Sequence, residues 1–360
     1  MVQLRAMKLL YDARYIRTDF HDGISRYTTE LGAALAKITE VTFIICDPAQ
    51  IDFLPRKAKY IQIHAPSSAK EPFTAQILNT FNPDVVFSPM QTMGTLGRKY
   101  KLILTSHDMI YYRHPTPPSN VSWLLGLGWR VYHMTYFFER LALNSADIVA
   151  TVSVTVQHEF ERAKLTKRPI IVISNAPQKF HTHRVTHTHT PRNIIYMGSF
   201  MPYKNVETLI KGMQWLPGRT LHLLSKISPA RRKELIALIP EGADVQFHGG
   251  VTDDTYEALL ANDAILATAS YDEGYGIPVA EALAMGVPAV ISNIPIFHEV
   301  AAGGALYFNP DKPKQFAEKV KELNDTATRN QVIKNGTQHI SSFTWDDSAR
   351  ALLNAINLLA

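Results

Sequence analysis

The sequence predicts an α/β protein made of two doubly wound parallel sheets. Three observations carry that expectation. Short β-branched, apolar runs alternate with helical patterns along nearly all of the 360 residues. Those runs are mostly continuous rather than alternating, as strands are when helices cover both faces of a sheet. A polar stretch without apolar periodicity, APQKFHTHRVTHTHTPR at 176–192, interrupts the scheme near the middle. At roughly 150 residues per domain the length suits two domains, each able to bury its own core.

In the first half, strands are read at 9–14 (LLYDAR), 41–47 (VTFIICD), 60–65 (YIQIHA), 84–89 (DVVFSP), 102–108 (LILTSHD), 147–153 (DIVATVS) and 170–176 (IIVISNA). Helical patterns lie between several of them, Ile24 to Lys37 and Val121 to Asn144 among them. The second half repeats the scheme at 193–199, 221–226, 245–250, 264–270, 288–293 and 305–310, and successive helices follow from Lys314. The expected division is an N-terminal domain at 1–177, a linker at 178–192 and a C-terminal domain at 193–342. A last helix at 343–360 packs back on the N-terminal domain. The linker holds His181, His183, His187 and His189. Histidine-rich tracts can bind divalent ions, but no carboxylate accompanies these four, so a solvated polar linker is the preferred reading.

Composition narrows the partners. Lys plus Arg number 37 against 32 Asp plus Glu, a net charge of only +5. That balance suits an anionic ligand or an acidic membrane surface and is too weak for nucleic acid, which needs a concentrated basic stripe. A single cysteine, Cys46, allows no intramolecular disulfide and no cysteine-rich zinc site. The opening MVQLRAMKLLYDARY has no apolar run long enough for a signal peptide, and the Val121–Phe138 stretch is interrupted by Arg130 and His133. A soluble, cytoplasmic protein is expected, with SWLLGLGWRVYHMTYFF at 122–138 as the one candidate for a membrane or lipid contact. The preferred reading of that stretch is a buried helix whose Trp and Tyr join the core. The chain has no phosphate-loop, GxGxxG, GxSxG or HExxH motif, and no Asp-x-Asp pair to chelate a metal.

The segment SYDEGYGIPVAEALAMGVPAVISN, 270–293, carries the chemistry. Asp272 and Glu273 follow a strand, at the carboxyl end where open α/β sheets bind ligands. Gly274 and Gly276 permit a tight loop with exposed N–H groups, and Pro278 suits the first turn of a helix. The amino end of that helix, with its free N–H groups and dipole, makes an anion site of phosphate size. Glu281 is expected in the first turn, where it can accept hydrogen bonds from sugar hydroxyls. Its plainer reading is a favourable charge at a helix start.

The same segment closely resembles the E-x7-E signature of the retaining GT-B glycosyltransferases of family 4, with Glu273 and Glu281 as its glutamates. Other segments resemble that family in chain order: DGISRYTTEL (22–31), TSHDMIYYRHP (105–115), ADIVATVS (146–153), VISNAP (172–177) and MGSFMPYKNVETLIKGM (197–213). The resemblance implies two Rossmann-like domains facing across a cleft, the C-terminal one holding a nucleoside diphosphate sugar and the N-terminal one an acceptor. It implies that Glu281 binds the ribose, that Glu273 contacts the donor sugar and that the backbone of Gly274, Tyr275, Gly276 and Ile277 lines sugar and phosphates. Lys204 would neutralise the leaving diphosphate in place of a metal, Gly23 would approach the phosphates, and His107 would face the donor sugar. The TSHD segment resembles the mannosyltransferase branch, which points to GDP-mannose.

Plainer readings stand beside these: a surface lysine for Lys204, a strand-end histidine for His107, a turn for Gly23. The sequence also departs from the family. Ser199 and Tyr203 occupy the positions where many relatives carry a second phosphate-binding arginine, and Lys226 or, less well, Arg231 would have to substitute. Tyr111, Tyr112 and Arg113 are candidates for the acceptor side. The expected activity is transfer of a hexose to a carbohydrate, glycolipid or small glycoside acceptor, with no cofactor beyond the donor substrate. The alternatives are a non-catalytic nucleotide-sugar or glycan-binding protein, a sugar-nucleotide epimerase, or a phosphorylase, for which no pyridoxal-phosphate lysine signature is evident.

Overall fold

The computed structural model describes residues 7–19, 22–116, 123–178, 180 and 189–359, with side chains omitted from the description at 123–125. The linker histidines His181, His183 and His187 and the residues Val121 and Ser122 lie outside the described residues. The chain divides into two compact units, Met1–Asn175 with Thr344–Ala360, and Ala176–Phe343.

The first unit is built on a seven-stranded sheet of β1 (Leu9–Asp12), β2 (Thr42–Ile45), β3 (Lys59–Gln62), β4 (Val85–Ser88), β5 (Lys101–Thr105), β6 (Ile148–Thr151) and β7 (Ile170–Val172). The order is β3-β2-β1-β4-β5-β6-β7, every pair parallel, with Leu10 opposite Thr42 on one side and Val86 on the other. The strand order reverses between β1 and β4, the kind of point beyond which open α/β sheets bind ligands. In the core, the Tyr11 ring meets Phe43 and Phe87 at centroid distances of 5.5 and 5.1 Å, and its hydroxyl donates to the Thr28 carbonyl at 2.8 Å.

Two helices of this unit come from opposite ends of the chain. Helix Gly23–Leu35 starts because the Asp22 carboxylate accepts the Ser25 N–H at 2.8 Å, and it buries Tyr27, Leu31, Ala34 and Leu35. Helix Trp345–Asn357 packs against it, with the Tyr27 and Trp345 rings 6.0 Å apart and Lys37 Nζ 2.9 Å from Asp346 Oδ1. The Ser348 hydroxyl donates to the Ser174 carbonyl at 2.7 Å.

The second unit holds a six-stranded sheet of β8 (Asn193–Tyr196), β9 (Thr220–Leu223), β10 (Asp244–Phe247), β11 (Ala264–Thr268), β12 (Ala289–Ser292) and β13 (Ala305–Phe308). Its order, β10-β9-β8-β11-β12-β13, again reverses at the centre, between β8 and β11. All its pairs are parallel, and its core gathers Ile194, Leu221, Leu223, Ile265, Val290, Phe308 and Phe316.

Two sequence expectations need correction here. Most strands end two to four residues before the runs read from the sequence, and at several of them apolar burial outlasts the regular ladder. Ala269 and Ser270, both fully buried beyond the end of β11, are the example. The 121–144 pattern is two helices, Trp123–His133 and Phe137–Asn144, and most of the apolar side chains described there face outward, with Leu143 a core exception. Leu127, Val131, Met134, Phe137 and Leu141 are each more than half exposed, whereas Glu139 and Leu143 are the buried side chains of the second helix. Aromatic and aliphatic content alone does not say which face of a short helix meets the sheet. No helix among the described residues is long and apolar enough to cross a membrane.

Candidate active site

The loop after β11 and the helix that follows it are shaped by two glycines and a proline. Gly276 caps helix Ile277–Met285 with φ at 95°, and a Cβ there would lie 2.7 Å from a ring carbon of Phe297. Only glycine fits both the backbone angle and the space. Pro278 sits in the first turn, and Gly286, at φ 75°, ends the helix. Val279, Ala280, Ala282, Leu283 and Met285 are buried, as in a helix enclosed on all sides. Glu281 is the fifth residue of this helix, in the second turn rather than the first, and only 3 % exposed.

The loop after β8 is stitched to the loop after β11. Asn205 takes a left-handed conformation, φ 49° and ψ 42°, held by bonds from its Nδ2 to the carbonyls of Ala269 (3.2 Å) and Pro310 (2.8 Å). The Tyr271 N–H donates to the Tyr203 carbonyl at 2.8 Å. These bonds bring Lys204 to Glu273, 69 residues away, with Nζ 2.6 Å from Oε1. Ser270 donates to the same oxygen at 2.8 Å, and Thr268 Oγ1 lies 3.0 Å from Ser270 Oγ. The pair is mostly sheltered, at 15 % and 13 % side-chain exposure, so its charges attract more strongly than a surface pair.

The remaining candidates of this unit divide. Gly274 is buried and Ile277 half-buried in the loop. The Tyr275 ring is 4 % exposed and lies 6.3 Å from Phe343, its hydroxyl buried without a hydrogen-bond partner; burial pushes the phenol pKa up. Lys226 is exposed after β9, and its stem crosses Gly250, where a Cβ would lie 2.9 Å from Lys226 Cγ. Ser199 is exposed, its carbonyl accepting the Tyr196 hydroxyl at 2.5 Å. Arg231 is committed elsewhere: it bonds Glu207, Glu234 at 3.0 Å and the Phe200 carbonyl at 3.1 Å.

In the first unit, His107 follows β5. Its Nε2 lies 2.8 Å from the Pro89 carbonyl, which can only accept, so Nε2 carries the proton and Nδ1 is left as an acceptor. Burial pushes its pKa down, opposed by the bond to Pro89 and by Asp22. Gly23 is exposed at the start of its helix. Tyr111 is exposed and meets Trp129 edge-on at 5.2 Å. Tyr112 and Arg113 are tied internally, the first by its hydroxyl to Glu139 at 3.4 Å, the second to Glu159 at 2.8 Å. Sequence reading missed Asn205, Thr268 and Ser270. The signals for them were slight: polar residues at the end of an apolar run, and an asparagine just before a helix.

Two family models cover this chain in succession. The one described as Glycosyltransferase Family 4 matches residues 21–176, and the one described as Glycosyl transferases group 1 matches residues 178–339. The chain is a family 4 glycosyltransferase. It is similar to the O-antigen chain mannosyltransferase RfbU of Salmonella typhimurium, 23 % identical over 355 residues that span 92 % of this chain and 95 % of the relative. It is also similar to the O-antigen chain mannosyltransferase B of Escherichia coli, 28 % identical over 173 residues, 46 % of this chain and 45 % of the relative.

Among solved structures, this glycosyltransferase resembles the sucrose-phosphate synthase of Thermosynechococcus elongatus with a TM-score of 0.74 at 18 % identity, over 98 % of this chain and 99 % of the other. It resembles Alr3699/HepE of Anabaena, solved in complex with UDP-glucose, with a TM-score of 0.71 at 16 % identity over 98 % and 99 %. At such identities the likeness is one of fold, and the fold is GT-B.

Proposed function

We propose that this glycosyltransferase moves mannose from GDP-mannose to a glycan, glycolipid or small glycoside acceptor, without a metal ion and with retention of anomeric configuration. The observation that carries the reading is the contact between Lys204 Nζ and Glu273 Oε1, 2.6 Å, beside the amino end of helix Ile277–Met285. An ammonium beside the positive end of the helix dipole suits a diphosphate leaving group, whose charge grows as the glycosidic bond breaks. The mannose donor is supported by the names of the two curated relatives.

In this reading the loop backbone from Gly274 to Ile277, at the positive end of the helix dipole, binds the phosphates, and Lys204 neutralises the leaving oxygen. Glu281 takes the ribose hydroxyls and Glu273 orients the sugar. The acceptor hydroxyl attacks the anomeric carbon on the face the diphosphate leaves. The C1–O bond to phosphate breaks, and the hydroxyl proton passes to the departing phosphate oxygen. Lys226 is the substitute for the family's second cation, since Arg231 is held by two glutamates. His107 and Gly23 are proposed ligand contacts of the first unit, and Tyr111 its acceptor contact.

A peripheral contact with the inner face of a membrane accompanies this reading. Its support is the outward set of Leu127, Val131, Met134, Phe137 and Phe138 next to the exposed Arg130. Apolar side chains among cations suit an anionic bilayer.

The test is a transfer assay with GDP-mannose in the presence of EDTA, together with a thermal-shift screen against GDP, UDP, dTDP and ADP and their sugars. Binding to the folded state raises its melting temperature by mass action, so GDP and GDP-mannose should give the largest shifts. A larger shift with another base overturns the donor. Activity lost to EDTA and restored by manganese overturns the metal-free mechanism. Donor binding without transfer or hydrolysis favours a binding protein, a role the missing arginine at Ser199 would suit.

A further inference from the structure

The hydrogen bonds around Glu273 distinguish its two oxygens. Oε1 receives Lys204 Nζ at 2.6 Å and the Ser270 hydroxyl at 2.8 Å. Oε2 has no partner among the described residues, although the side chain is only 13 % exposed. Behind Ser270 stands Thr268, the last residue of β11, its Oγ1 3.0 Å from Ser270 Oγ. Each hydroxyl has one proton, so the direction of the chain is determined: Ser270 donates to the carboxylate, and Thr268 therefore donates to Ser270. Both bonds point toward the negative charge, an alignment in which each strengthens the next.

We propose that Ser270 is a positioning residue that, backed by Thr268, holds Glu273 with Oε1 turned into the protein and Oε2 left to the ligand. The inference rests on the reading of Glu273 as the sugar-orienting acid. Its physical reason lies in the chemistry of Lys204. An ammonium has three donors and a flexible stem, and it must also serve the diphosphate. A carboxylate held by Lys204 alone would shift as the lysine turned to a phosphate. Ser270 is fully buried, on a short loop at the end of a sheet strand, so its bond stays where it is while Lys204 changes partners. Rigid support of this kind keeps a reacting group in its productive geometry.

The experiment compares Ser270→Ala, Ser270→Thr, Thr268→Val and Glu273→Gln, alone and with Ser270→Ala combined with Glu273→Gln, in transfer assays, donor titrations and thermal melts. Ser270→Ala should lower kcat by about tenfold, the scale of one hydrogen bond to a charged group, with donor Kd within about threefold of the parent. Ser270→Thr keeps the hydroxyl and should recover most of the rate. Thr268→Val keeps the shape of its side chain, so it tests the relay even if Ser270→Ala melts early; it should lower kcat by about threefold. The double variant should be no slower than Glu273→Gln alone, because a support has no effect once the group it supports is gone. Parent-like kcat in both Ser270→Ala and Thr268→Val overturns the proposal, as does a double variant whose losses multiply. A parent-like Glu273→Gln would instead remove the donor-site reading, and the positioning role with it.

Discussion

Each sheet gathers charge at its central carboxyl ends, and the two units do so in opposite ways. In the first, Arg14 lies just beyond β1 and is wholly enclosed. Its Nε meets Asp12 Oδ1 at 2.8 Å and its Nη1 meets Glu71 Oε2 at 2.8 Å, while Nη2 reaches both acids at 2.9 and 3.2 Å. His64 also bonds Glu71, at 3.1 Å, and Ser88 bonds Asp12, at 3.3 Å. In the second, Lys204 and Ser270 share one oxygen of Glu273, and the other has no partner among the described residues. A planar guanidinium with its acids bound on several sides is a clasp. A lysine and a carboxylate with capacity to spare are suited to a ligand. The degree of saturation, rather than the presence of buried charge, separates a structural cluster from a reactive one.

Breaking the clasp should have the largest energetic effect. Arg14→Met leaves Asp12 and Glu71 buried without their cation, and should destabilise the first unit by about 3–5 kcal/mol. Chemical unfolding followed by circular dichroism measures it, and a parent-like midpoint would refute the structural role. Next comes the open pair. Lys204→Ala and Glu273→Ala should each cut turnover by about a hundredfold or more, the range for groups that stabilise transition-state charge, while melting close to the parent. Near-parent rates in both would erase the contrast between the units.

A smaller effect is expected from Gly276→Ala, which meets both a φ of 95° and the Phe297 ring. The strain should cost about 1–3 kcal/mol and weaken donor binding together with stability. A calorimetric titration beside a thermal melt would separate the two effects.

The smallest effect is a pH response that the two units share. His107 is held below the ordinary histidine range by burial. His222 is held there by burial and by His248, whose Nε2 lies 3.0 Å from His222 Nδ1. A depressed pKa means that the unfolded chain takes up protons first as pH falls. The stabilising contribution is therefore complete above about pH 6.5 and declines below it, toward the folded pKa. Unfolding midpoints between pH 8 and pH 5 should fall on the acid side, and His107→Gln should flatten that fall for the first unit.

Much of the fold could be read in advance for a simple reason. Parallel strands covered on both faces are continuous apolar runs, and thirteen of them align with β1–β13. The site was less legible. Glu273, Lys204 and Glu281 stood out by residue type and by resemblance, but Glu281 lies two residues deeper than a helix read from Val279 places it, because Gly276 starts the helix at Ile277. Ser270 gave no strong signal, since a serine at the end of an apolar run looks like any strand terminus. The outward face of Trp123–His133 and Phe137–Asn144 is not legible in the sequence, because an apolar pattern has no direction until a sheet stands beside it.

The sequence by itself determined the alternation of strands and helices, the two-unit plan, and the glycine and proline stops around the E-x7-E segment, because these depend on periodicity and local backbone preference. Tertiary structure alone decided that Lys204 meets Glu273, that Arg231 turns to Glu207, and that Tyr112 and Arg113 turn to acids of their own unit. Those contacts depend on which loops the sheet order brings side by side, and separation along the chain carries no record of that.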